Sequence, residues 1–363
     1  MKKRLEFSKK IKSNKGSITS FTLLSMLFFI IVLIAIYSTV STKVQKQEKE
    51  LKAIKDNYKQ ENIDDVYENT LNGKAGLLAT YVKVGDYVSY EPDALNESAL
   101  NTLKTNLSTY SGKSDSTINS AIKRDDLKWR VLDVNKKTGE VRLISAEPTN
   151  SKIELSGYNG YNNAVKLIDD ACSTLYNNSK FVSKVQNLKI EDMTAHMKTQ
   201  PIEDTTEYTP TSINYPKILE LEESQKVENS TTENKIKLSE QNEFVTGKAT
   251  SATSTLKRTY WNKSMTSEDF NSKYYELFIN NGSNYSTYWM SSRCVYADST
   301  YAGFNVHSVR SGYVNAYDLY HSFDHESPNA YAFRPVITLS PNVRIDTANS
   351  GNESTADSGY AIK

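Results

Sequence analysis

The side chains with the most chemistry to offer in this chain are two cysteines, four histidines and an unusual number of tyrosines, 24 in all. Cys172 and Cys294 are the only thiols, and three readings of them stand side by side. Facing an oxidising exterior, an even pair could form a disulfide that ties a helix to a late strand. Two independent buried thiols are the ordinary alternative, because Cys172 falls on an apolar helix face. A nucleophilic Cys294 would need a base such as His307 or His321, and Arg293 next to it could lower its pKa. Strand alternation, however, sends Arg293 and Cys294 to opposite faces, and no oxyanion or third-member signature accompanies them.

His321, Asp324, His325 and Glu326 crowd one segment, but H-x₂-D-H-E is not a zinc spacing. The segment is read as a solvated loop, and no metal or cofactor is assigned. Aromatic residues concentrate in the last third of the chain, where large amphipathic rings suit recognition as well as packing. The expected ligand surface is Tyr288, Trp289, Arg293, Tyr296, Tyr317, Tyr320 and Arg334.

Positioning these residues requires strands and at least one helix. Tyr81–Val84, Gly85-Asp86 and Tyr87–Tyr90 read as strand, turn and strand. The hairpin 129–134/140–145 closes on a five-residue connection ending in Gly139. From Tyr161 to Tyr176, Ala164, Val165, Ile168, Ala171, Cys172 and Leu175 recur at helical spacing and predict a helix with one buried face. Strands resume at Tyr288-Trp289 and Phe304–Val306, turn at Ser311-Gly312, and end with Phe333–Leu339. Polar residues 93–123 predict a loop with weak helix. Residues 198–258 are Thr-, Glu-, Ser- and Lys-rich and predict a flexible insertion, with Ile213, Tyr215, Ile218, Leu219 and Leu221 its only apolar cluster. The tail 346–363 predicts disorder.

The N-terminus sets the address. Phe21–Val40 is an uncharged, mostly apolar run about as long as the roughly 30 Å hydrocarbon core of a bilayer. Seven of the 44 basic residues and one of the 43 acidic ones precede it, leaving 37 bases against 42 acids beyond. The basic side stays in the cytoplasm. The resulting organisation is a tail (1–15), a membrane helix (16–42) that anchors the chain in lipid, a helical stalk (43–76) and an extracellular domain (77–345). A mildly acidic exterior argues against nucleic-acid binding.

Two resemblances add to this. Lys15-Gly16 before the apolar run resembles a type IV prepilin N-terminus, in which cleavage after Gly16 would leave Ser17 first; Phe21 stands where that family carries Glu. Further on, Gly85-Asp86-Tyr87-Val88, Trp129-Arg130-Val131-Leu132, Leu143-Ile144-Ser145, Tyr288–Arg293 and Phe333-Arg334-Pro335-Val336 occur in an order that resembles the bacterial extracellular DUF6273-type domains. Those are distantly similar to C-type lectins and formylglycine-generating enzymes, which implies a short-stranded α+β fold with long loops. Glu326-Ser327-Pro328-Asn329 is similar to the lectin Glu-Pro-Asn loop, but a serine interrupts it. The function expected is a non-catalytic binding or structural module at the cell surface, engaging envelope glycan or a surface protein. A pilin-like component is the alternative, and a Cys-dependent or formylglycine-enzyme-like enzyme a third reading.

Overall fold

A computed structural model of the protein describes residues 23–30, 33, 76–201, 206–227, 235–279, 287–351 and 355–363. The basic tail, Gly16, Ser17, most of the expected membrane helix and all but the last residue of the stalk lie outside the described residues. Residues 23–30 and 33 are helical, and Leu23, Leu24, Leu27, Phe28, Phe29 and Leu33 stand more than half exposed. Among the described residues no helix is long and apolar enough to cross a membrane.

Residues 76–363 form a compact α+β unit, built mostly of sheet. In chain order its strands are β1 (Tyr87–Ser89), β2 (Trp129–Asn135), β3 (Glu140–Ser145), β4 (Lys152–Leu155), β5 (Val182–Asn187), β6 (Glu207–Tyr208), β7 (Thr211–Pro216), β8 (Lys248–Thr253), β9 (Leu256–Lys257) and β10 (Lys263–Ser264), followed by β11 (Tyr288–Ala297), β12 (Ala302–Arg310), β13 (Tyr313–His321), β14 (His325–Glu326), β15 (Asn329–Ala332), β16 (Pro335–Leu339) and β17 (Tyr360–Ala361). The first sheet runs β17-β1-β2-β3-β16-β5, and the second runs β10-β13-β12-β11-β15-β4 with β14 on β13. The expected hairpin is β2–β3, and Gly139 takes a φ of +78° at its turn, a conformation that only glycine adopts without strain. The helix Gly157–Tyr176 packs on β5, β11 and a second helix, and buries Ala164, Val165, Ile168, Ala171, Cys172 and Leu175.

Four expectations change. The polar segment 93–123 contains the helix Glu97–Tyr110, started by Asn96, whose side chain accepts from the Ala99 N–H at 3.1 Å. Its Leu100, Leu103 and Leu107 bury one stripe among otherwise polar neighbours. The first expected strand is absent: Leu78–Tyr81 makes a helical turn, and pairing starts only at Tyr87. The described part of the 198–258 insertion is ordered, with β6 on β9 and β7 on β8. Ile213, Tyr215, Ile218, Leu219, Val227 and Leu256 there enclose a core with Tyr161, Val295, Phe304 and Tyr320. The described part of the tail is structured too: β17 adds in parallel to β1, and Ile345 bridges Ile362. In both places a few apolar residues dock on the domain and outweigh a polar composition.

Leu219 is fully buried. Leu219→Ala is therefore expected to cost about 2–5 kcal/mol, as in other cores. A floppy surface segment would change by less than about 0.5 kcal/mol. Urea unfolding of the two proteins decides between them.

Candidate functional site

The expected ligand surface is mostly interior. Tyr288, Trp289, Arg293 and Arg334 are 0% exposed and Tyr320 is 1%, whereas Tyr296 and Tyr317 are half-buried. Each buried polar tip has a protein partner. Tyr288 Oη donates to Phe278 O (2.7 Å) and Trp289 Nε1 to Ile153 O (2.9 Å). Arg334 donates to Ser145 O (2.9 Å), Ala146 O (3.1 Å) and Phe278 O (3.4 Å), and lies over the Tyr288 ring. Arg293 Nε donates to Glu222 Oε1 at 2.8 Å, and Tyr161 Oη donates to the same carboxylate, all three side chains being fully buried. The five buried residues, Tyr288, Trp289, Arg293, Tyr320 and Arg334, are structural and form no binding face, whereas Tyr296 and Tyr317 keep partial exposure.

The cysteines settle in the same way. Both are unbonded and fully buried, so the disulfide is not formed. Burial pushes both thiols well above their usual range, which removes the thiolate a nucleophile needs. Among the described residues no group of three or more His, Cys, Asp and Glu side chains could hold a metal. Asp324 of the His321–Glu326 segment is held instead by Lys248 and by the Tyr320 hydroxyl at 2.5 Å.

A cavity of about 520 Å³ opens elsewhere, between the insertion and the short helix Ile190–Thr194. Glu191, Thr194 and Gln200 line one side, and Lys237, Arg258, Tyr260 and Trp261 line the other. Its wall is braced by a hydroxyl chain. The Ile190 N–H donates to Ser292 Oγ (2.9 Å), which lies 2.7 Å from Ser239 Oγ, which in turn donates to Glu191 at 2.7 Å. Behind it Lys189 pairs with Asp169 at 3.4 Å, and Ser291 Oγ donates to Asp169 at 2.7 Å. Burial raises the Asp169 carboxyl despite that lysine. The Arg258 guanidinium is sandwiched between the Tyr208 and Tyr296 rings, 4.8 and 4.5 Å from their centroids, and donates to Ala297 O at 2.8 Å. Trp261 leans on the buried His307, ring centroids 5.9 Å apart. The result is a rigid pocket of two aromatic faces with amide, hydroxyl, carboxylate and ammonium groups around them. Such groups suit hydrogen bonding and ring stacking, and no nucleophile paired with a base is among the described residues that line the cavity.

The sequence reading missed this cavity. Two residues of the expected surface touch it: Tyr296, packed against Tyr260 at 6.0 Å, and the buried Arg293, which donates to the Lys237 carbonyl at 3.3 Å. One signal was there: of three tryptophans, Trp261 alone lies outside the strand-like blocks. Comparison with protein-family models, with curated proteins and with solved structures finds no match.

His307 yields a pH test. Burial lowers its imidazole from 6.5 to about 4. Between those values the unfolded chain holds a proton that the folded chain refuses. The contribution is therefore present above pH 6.5 and is lost as the pH falls toward 4, about 3 kcal/mol in total. Urea midpoints at pH 7 and pH 4.5 should differ less in His307→Gln than in the parent, and equal differences would refute the assignment.

Proposed function

We propose that this chain is a membrane-anchored bacterial cell-surface protein whose outer domain is a binding module without catalytic chemistry of its own, its ligand seated in the cavity between Glu191 and Trp261. The observation that carries this reading is the cavity's make-up: half-buried aromatic faces beside hydrogen-bonding groups, with the exposed Glu191 held by the buried hydroxyls of Ser239 and Ser292. Anchoring is supported by the exposed apolar side chains among residues 23–30 and 33, which need lipid or a partner to cover them, and by the seven basic residues before them. The proposed kinship with DUF6273-type domains rests on the ordered blocks. Those blocks meet in the fold, since Arg334 of one bonds to Ser145 of another and Val131 N donates to Asp86 O (2.8 Å). The pilin-like alternative rests on Lys15-Gly16-Ser17, and no described residue adds to it.

Two experiments test the proposal. Lys136 is exposed at the β2–β3 turn, whereas both native cysteines are buried. A membrane-impermeant maleimide should label Lys136→Cys on intact cells and leave the parent unlabelled. Labelling only after lysis would overturn the topology. For the ligand site, full-length protein in detergent should sediment with washed cell envelopes, and Trp261→Ala should weaken this about tenfold. Unchanged sedimentation by a variant that melts like the parent would overturn the assignment to the cavity.

A further inference from the structure

The register of the second sheet lines up four strands at one level. Tyr296 of β11 faces Gly303 of β12, Gly303 faces His321 of β13, and His321 faces His325 of β14. Cross-strand partners share a face, so these positions form a row across the sheet. Gly303 contributes no side chain, and the Tyr301 ring fills its place. A Cβ at Gly303 would lie 2.9 Å from Tyr301 Oη and 3.3 Å from its ring. The rings therefore continue without a break. Tyr260 at the cavity is 6.0 Å from Tyr296, Tyr296 is 5.9 Å from Tyr301, Tyr301 is 5.4 Å from His321, and His321 stacks on His325 at 4.7 Å. Phe323 caps the far end, 6.2 Å from Tyr301 and 68% exposed. His325 is exposed as well, and Tyr260, Tyr296, Tyr301 and His321 are half-buried residues.

Polar groups flank the row. Tyr260 Oη donates to Asn315 Oδ1 at 3.3 Å, and Tyr301 Oη donates to Asp318 at 2.9 Å. Asp298 accepts from the Thr300 and Tyr301 N–H groups, both at 2.8 Å. The row thus offers apolar ring area edged by carboxylates and amides, with Arg258 at one end and Asp318, Asp324 and two histidines toward the other. A polyanion would meet those carboxylates and is disfavoured.

We infer that this row is a track for a linear, uncharged, β-linked glycan whose end occupies the cavity, an inference that rests on the ligand site proposed above. A β-1,4-linked chain is a flat ribbon that presents C–H faces at regular intervals and hydroxyls along both edges. It therefore matches rings in series with hydrogen-bonding groups at their margins. Because the rings brace one another, they are ordered before the ligand arrives, and little entropy is lost on binding.

The test uses the full-length chain in a non-glycoside detergent, with β-1,4-linked hexamers and dimers of glucose and of N-acetylglucosamine titrated by calorimetry. At least one hexamer should bind about tenfold more tightly than its dimer. Phe323→Ala and Tyr301→Ala should remove most of that advantage and leave the dimer's affinity unchanged. Phe323 is exposed, so its variant remains informative even if Tyr301→Ala melts early. A hexamer that binds no better than its dimer, failure of both hexamers to bind, or an advantage that survives both substitutions would overturn the track. An aromatic or acidic peptide outcompeting the hexamers would do the same. The cavity assignment falls separately, on envelope sedimentation of Trp261→Ala.

Discussion

A guanidinium buried where no carboxylate hydrogen-bonds to it must be solvated by the backbone, and Arg334 does this where the two sheets meet. β15 belongs to the second sheet and β16 to the first, and Arg334 lies in the two-residue step between them. Its side chain gathers the carbonyls at the end of β3 and after the helix Ser272–Phe278, while its own N–H donates to Asn187 Oδ1 at 2.6 Å. Asn187, closing β5, donates in turn to Trp289 O of β11 at 2.9 Å. Burial lowers the guanidinium pKa, yet an arginine stays charged, so those carbonyls have to stay in place. Leaving them unmet would cost the full desolvation of each group.

The insertion is held by a second buried charge. Glu222 comes from the insertion and Arg293 from the middle of β11, and Tyr161 on the long helix completes the contact. A pair of this kind adds little net stability, but losing either member strands the other charge in the interior. It therefore fixes where the insertion sits more than how strongly it is held. That placement brings Lys237 and Ser239 to the cavity wall, since Arg293 also donates to the carbonyls of Lys237 and Glu240. The shape of the cavity follows from an ion pair at its back.

Local pattern was enough for the β2–β3 hairpin and for the long helix, because turn chemistry and helical spacing are written within a few residues of each other. The helix Glu97–Tyr110 was not legible: three leucines in fourteen residues make a thin stripe, and its cap is a single asparagine. The insertion and the tail were misjudged because composition averages over the few side chains that dock. The candidate site suffered most. Arginine and tyrosine usually face water, so Arg293, Arg334, Tyr288 and Tyr320 read as surface. The two arginines find their partners, Glu222 and Ser145, more than sixty residues away. The row from Tyr260 to Phe323 is equally nonlocal, since it exists only in the register of four strands.

The strand order of the first sheet has a consequence for how this chain is made. β16 lies between β3 and β5, so β5 has no neighbour, and β3 only β2, until β16 is synthesised some 150 residues after β5. Until then the incomplete sheet presents open edges at β3 and β5, and loop closure this long is slow. Unpaired edges invite pairing with other chains. The interval carries β11, β12, β13 and β15, so β16 closes the gap in the first sheet only after every strand of the second has been made.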